Sequence, residues 1–215
     1  MATVCESEES VLTDGRIVTL RCRIVGVVPA IMSNGQMADS TNYWAQLTAE
    51  IRAEKKRGKS FTQEQAERYN KALFTGQLYL KDTKNMAVPY WPAENVEAVI
   101  RSGAKKSRAG QQALIGVSVV DDFPLIYDGP KTADGLWKDE RFVFYSRVGG
   151  DGGTTTNCRC RFQQWSFEFD AMLDTRMANP ESLRKWLDDA GWQVGLSAWH
   201  PKYGRFEVES VTEVK

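Results

Sequence analysis

Arginine alternates with small or apolar residues in two segments far apart in the chain, "LRCR" (20–23) and "CRCR" (158–161). Guanidinium groups at Arg21, Arg23, Arg159 and Arg161 could grip phosphates in bidentate fashion and stack on bases, which is the chemistry of holding a single polynucleotide strand. Lys105, Lys106 and Arg108, set between Gly103 and Gly110, could contact phosphates from an adaptable loop. Arg147, on the strand before the second arginine pair, completes the candidate nucleic-acid-binding set. An ordinary reading accompanies each residue. Alternation also predicts the solvated face of an amphipathic strand, and cations after a helix end are favoured by its dipole.

Other chemistry has thinner support. His200 is the one histidine, between Trp199 and Pro201, with no recognisable nucleophile segment for a triad. Asp121, Asp122 and Asp128 could hold a divalent ion, but they occupy turn positions in "VVDDFPLIYDGP". "GGDGGTTT" (149–156) lacks the Gly-Lys-Ser/Thr ending of a phosphate loop and precedes a strand rather than a helix. Cys158 and Cys160 are half a zinc site without a second pair, and fit better as small buried hydrophobes. The expectation is a protein with no catalytic residues, no metal and no cofactor.

The composition is that of a globular chain, 42% hydrophobic and 26% charged, and 215 residues suffice for one well-buried core. The 28 acidic residues balance the 28 basic ones, so no global field points to nucleic acid or membrane. Local charge is uneven. Glu6, Glu8, Glu9 and Asp14 mark an acidic arm over 1–14, whereas 52–59 and 101–108 are basic. No apolar run approaches the roughly 18 residues a membrane helix needs, and the start of the chain lacks a secretory pattern. Cys5, Cys22, Cys158 and Cys160 are too few and irregular for a disulfide framework, so the expected setting is the cytoplasm.

Elements follow from periodicity. Residues 16–28 read as a strand, with Leu20, Cys22 and Ile24 alternating with the arginines until Pro29 ends it. Helices are predicted around Trp44, Leu47 and Ile51 after Ser40 and Thr41, around Ala66, Tyr69 and Leu73 after Ser60 and Thr62, and from Pro92 through Ile100. Segments 113–120 and 123–130 read as extended. Strand 141–148, a flexible tip at 149–156 and one long return strand over 157–173 make a hairpin. Asn179-Pro180 opens a helix that Gly191 stops, and 204–214 is the last strand. The aromatic pieces at 42–44, 90–91 and 136–137 read as core, with one or two residues available for base stacking.

The resulting order is βαββαβ, which predicts an α+β, ferredoxin-like (RRM-like) core over 16–28 and 141–214, with a helical insertion over 40–110 in a single domain. First and third strands are central neighbours in that fold, so the four strand arginines should form one patch on its open face. Arg159 and Arg161 share parity with Trp165, Phe167 and Phe169, so either a bulge near Gln163-Gln164 resets the face or the apolar run lies beside them.

"VVPAIMSNGQMAD" and "GWQVGLSAWHPKYGRFEV" (191–208) resemble segments of a family of uncharacterised bacteriophage proteins, over most of the chain. More loosely, the element order with Gly191, Gly195 and Gly204 is similar to the RAMP subunits that form the backbone of CRISPR surveillance complexes. Ser197 and Trp199 stand where that family has glycines. The resemblance implies a modified RRM core, helical insertions, an extended hairpin and polymerisation along a single strand. The expected function is therefore non-enzymatic single-strand nucleic-acid binding in an oligomer or filament, DNA before RNA, in replication or recombination. The alternatives are a protein-binding inhibitor or assembly factor directed at a host defence complex, and a virion structural protein.

Overall fold

The computed structural model describes residues 16–55, 60–83, 86–150 and 153–214. The acidic arm, residues 56–59 of the basic run and residues 151–152 of the hairpin tip lie outside the described residues. The architecture is α+β with antiparallel sheets. Among the described residues no helix is long and apolar enough to cross a membrane.

Strand β1 (Ile17–Gly26) buries Leu20, Cys22 and Ile24 and turns Arg21 and Arg23 to the opposite side, as its alternation dictates. It pairs antiparallel with β9 (Ser166–Asp174) and β10 (Phe206–Glu213), and β5 (Val117–Ser118) completes a four-stranded sheet in the order β10-β1-β9-β5. Phe167, Phe169, Ala171 and Leu173 of β9 and Phe206 and Val208 of β10 share the buried face with the β1 apolar residues. A register shift between Arg23 and Ile24 leaves Glu209 as the extra residue of a bulge, which is the slip in the β10 pattern.

Helices α3 (Ala93–Ala104) and α6 (Pro180–Gln193) cover that apolar face. Val96, Val99 and Ile100 of α3 meet Leu183, Trp186, Leu187 and Ala190 of α6 within the same core. Asn179 caps α6 by accepting from Ser182 N at 2.9 Å, with Pro180 as first residue. Gly191 does not stop this helix. It lies inside it, where a β carbon would sit 2.2 Å from the Phe206 carbonyl oxygen, so the glycine admits β10 against the helix. The left-handed glycine at the helix end is Gly195, whose N–H donates to Ala190 O.

The remaining elements form an outer layer. Asn42, rather than Ser40 or Thr41, caps α1 (Tyr43–Ala53), its side chain accepting from Trp44 N. Thr62 and Gln65 form the capping box of α2 (Gln63–Gly76). β3 (Leu80–Thr83) and β4 (Met86–Trp91) pair as a hairpin that β6 (Phe123–Pro124) extends. β2 (Ala30–Ile31), β8 (Gly153–Phe162) and β7 (Val143–Gly150) make the third sheet.

Several sequence expectations change here. The run 157–173 is two strands in two sheets, β8 and β9, separated at Gln163–Trp165. Trp165 causes the break. Its ring fills the space above Gly26, its carbonyl accepts from Gly26 N at 2.8 Å, and its indole N–H donates to Val28 O at 2.9 Å. Strand 143–150 consequently pairs outside the four-stranded sheet, whose second edge is β5. α3, placed by the sequence in the insertion, belongs to the core layer. Residues 113–116 are helical, as the end of α4 (Gly110–Gly116), with Ala113 buried, and only Val117 and Ser118 pair with β9. The 149–156 tip is partly ladder, with Gly149 opposite Thr154 and Gly150 opposite Gly153.

The α3–α6 contact offers a direct check. A β carbon at Gly103 would lie 2.0 Å from the Trp186 carbonyl oxygen. Gly103→Ala must push the two helices apart, and it should destabilise the fold by about 1–3 kcal/mol, the usual range for overpacking. An unchanged melting temperature would show that the helices are not so close.

Candidate nucleic-acid interface

The four strand arginines do not form one patch. Arg21 and Arg23 stand opposite Asp170 and Glu168 in the β1–β9 register. Arg21 Nε and Nη2 donate to the two carboxylate oxygens of Asp170, each at 2.9 Å, and Arg23 pairs with Glu209 across β10. The hydrogen bond and charge of Arg21 hold the Asp170 carboxyl below the usual carboxylate range. On this open face Glu168, Asp170, Glu207 and Glu209 outnumber Arg21 and Arg23. A polyanion laid across it would meet paired arginines and net negative charge.

Arg159 and Arg161 occupy a different environment. β8 puts them on the side of the β7–β8 ladder that also carries Phe144, directly opposite Arg159. The other side buries Cys158, Cys160 and Phe162. Arg159 is half-buried, its Nε donating to Gln77 Oε1 at 2.7 Å, and desolvation lowers its affinity for the proton. Gln77, itself buried, donates to Asn157 Oδ1 at 2.6 Å. The Arg161 guanidinium lies 5.1 Å from the Phe144 ring centroid. In the amide orientation that satisfies both side chains, Gln163 accepts from Arg161 Nη2 and Nε at 2.9 and 3.1 Å. Among the described residues no carboxylate pairs with Arg159 or Arg161.

A strip of aromatic and cationic side chains continues from there. Phe144 packs on Tyr203 with centroids 5.6 Å apart, Tyr203 on Trp199 at 5.8 Å, and Lys202 Nζ lies 4.7 Å from the Trp199 centroid. The segment between α6 and β10 is tied down to present these groups. Ser197 Oγ accepts from Ile31 N at 2.8 Å and donates to Ile31 O at 2.9 Å, and Ala198 N also reaches Ile31 O. Ile31 in turn pairs with Arg161. Gly195 and Gly204 take positive φ, which the reversal needs, and Leu196 N donates to Gly204 O. Trp199 also sits at φ +62° and remains 49% exposed as a residue. A bulky side chain in that region is strained by about 1–3 kcal/mol, a cost that recurs at ligand-binding sites.

The other candidates are dispersed. Lys105, Lys106 and Arg108 follow α3 on an exposed turn, with Arg108 left-handed at φ +60°. Lys105 and Arg108 line, with Arg101, a surface pocket separate from the strip. Arg147 is exposed on the opposite side of the β7–β8 ladder from Arg159. Asp122 Oδ1 accepts from Ala93 N and so serves the start of α3. Cys22 and Cys158 are pushed up to about 12 by burial, and Cys160 well above its ordinary value, so these thiols stay protonated as core residues. Trp91, Leu136 and Trp137 are core or pack on it, whereas Tyr43 is exposed. Phe144, Gln77, Lys202 and Tyr203 escaped the sequence reading. The density of "WHPKY" (199–203) was the available signal, since five bulky or charged residues in a short loop do not serve a core.

The Arg21–Asp170 pair carries a pH dependence. The folded carboxyl titrates below the unfolded one, so the pair contributes stability above about pH 4 and loses it as pH falls through the lower folded value. Carboxyl-carbon NMR titration should place Asp170 below the usual range and return it there in Arg21→Gln. A normal value in the unaltered chain would remove the pair.

No protein-family model matches the sequence, and no curated protein does. Among solved structures the chain is similar to one from the cryo-EM structure of the Type III-B Cmr-beta bound to cognate target RNA, at 14% identity and a TM-score of 0.45. The similarity covers 94% of this chain and 62% of that one, so the present chain matches less than two thirds of its length.

Proposed function

We propose that the chain binds single-stranded nucleic acid through the strip formed by Arg159, Arg161, Phe144, Tyr203, Trp199 and Lys202, without catalysing a reaction. One observation carries this reading: two neighbouring guanidinium groups, one half-buried, lack any carboxylate among the described residues and adjoin a row of partly exposed aromatic rings. Leaving a desolvated charge without a counter-ion is costly. A phosphate would supply the counter-ion, while the rings offer stacking surfaces that accept any base.

The strand order supports a ferredoxin-like, RRM-like core. β1 and β9 are its central neighbours, β10 and β5 its edges, and α3 and α6 lie on one face. Binding would run beside that sheet, along the β7–β8 hairpin and the 194–205 segment, rather than across the acidic open face. A phage-type single-strand protein, DNA-preferring and assembling side by side, remains the fuller form of the reading. Leu114, Ile115 and Val120 are exposed apolar residues near the short edge strand β5, open to a neighbouring copy. The same residues are what a protein-binding factor would use, which makes that the competing reading.

The test is fluorescence anisotropy of labelled single-stranded DNA and RNA of roughly 30 nucleotides, enough for two or more sites. Affinity should fall steeply with salt. Arg159→Gln and Arg161→Gln should each weaken binding about tenfold and reduce the salt slope by about one. Arg21→Gln and Arg23→Gln should change neither. Binding that depends on Arg21 and not on Arg161 would reverse the site assignment, and absent binding at low salt would favour the protein-partner reading.

A further inference from the structure

We infer that the groove between α3 and the 194–200 segment receives one unstacked nucleobase of the bound strand, adenine by preference. This rests on the single-strand reading above. The groove has a volume of about 420 Å³ and shares Trp199 with the aromatic strip, so a strand stacked on Trp199 passes its mouth. The size falls within the range of about 300–1,000 Å³ typical of small-ligand sites.

Its lining suits a flat, polar-edged ring. Tyr79 and Trp91 form aromatic walls with centroids 6.3 Å apart. Trp91 is 2% exposed and its indole N–H has no hydrogen-bond partner, an orphaned donor in the wall of a groove. α3 contributes Asn95 and Ser102, seven residues apart and therefore on one side of the helix. The Asn95 amide has no protein partner among the described residues, which leaves a donor and an acceptor together. That pair matches the N6 and N7 edge of adenine. Ser102 Oγ donates to Ala98 O at 2.7 Å and keeps its lone pairs for a base amino group.

The test compares oligo-adenylate strands of roughly 30 nucleotides, as DNA and as RNA, with matched strands carrying abasic residues at regular intervals and with oligo-thymidylate or oligo-uridylate. Ser102→Trp fills the groove and should weaken binding of the adenine strand about tenfold, the scale of one lost base contact, while leaving the abasic strand unchanged. Asn95→Ala, which alters no backbone, should abolish the preference for adenine over the pyrimidine strand. Circular dichroism melting confirms that both variants fold, and Asn95→Ala decides the matter if Ser102→Trp does not. Unaltered discrimination in the folded variants, with strong binding of every strand, overturns the groove assignment and leaves the strip in place. If no strand binds the unaltered chain, the reading and the inference fall together.

Discussion

The position of Trp165 is the constraint on which the rest of the molecule depends. Its ring occupies the space that Gly26 leaves open, its backbone and indole bond to residues 26 and 28, and it stacks on Phe167 at a centroid distance of 6.1 Å. A chain fixed at that point cannot continue straight from β8 into β9. The interruption hands one half of an apparently continuous strand to the β7–β8 ladder and the other half to the four-stranded sheet. It also resets which side chains face the core, so that Cys158, Cys160 and Phe162 are buried in one layer and Phe167, Phe169 and Ala171 in another.

This division gives chemically identical side chains opposite fates. Arg21 and Arg23 lie on a flat, solvated sheet surface among carboxylates, where ion pairs are screened and worth little. Their task is local neutralisation of β9 and β10. Arg159 and Arg161 are carried to a corner where the end of α2, the turn after β8 and strand β7 supply amides and an aromatic ring instead of acids. Guanidinium groups held by neutral amides, Arg159 by Gln77 and Arg161 by Gln163, keep their full positive charge, and partial burial strengthens the field they exert on an incoming anion.

The 194–205 segment is rigid where it is anchored and strained where it is displayed. Ser197 and Ala198 lock it to β2, and Gly204 N donates to Pro29 O at 2.9 Å, so its two ends are fixed to the strand that pairs with Arg161. The Ser197 hydroxyl bonds to both polar groups of Ile31. Trp199 at positive φ is then held outward by the turn rather than folded onto the core. Positioning of this kind reduces the ordering a ligand must impose when it binds.

Local pattern alone determined much of this protein. Period-two alternation gave β1 and the faces of β9 and β10, capping chemistry gave α2 and α6, and the helical stripe gave α3, because each depends on contacts within a few residues. The alternation also determined that the arginines leave the core, while saying nothing of what they meet outside it. Only tertiary structure decided that. Which strands become neighbours is a matter of long-range pairing, and the acids opposite Arg21 lie about 150 residues away in sequence. The two-residue strand β2 carries too little pattern to be read, and the extended reading of 113–120 and 123–130, which contain β5 and β6, did not say that each lies at a sheet edge. The two arginine pairs look alike in one dimension. They differ because a buried tryptophan ring, matched to a glycine far along the chain, sends them to different sheets.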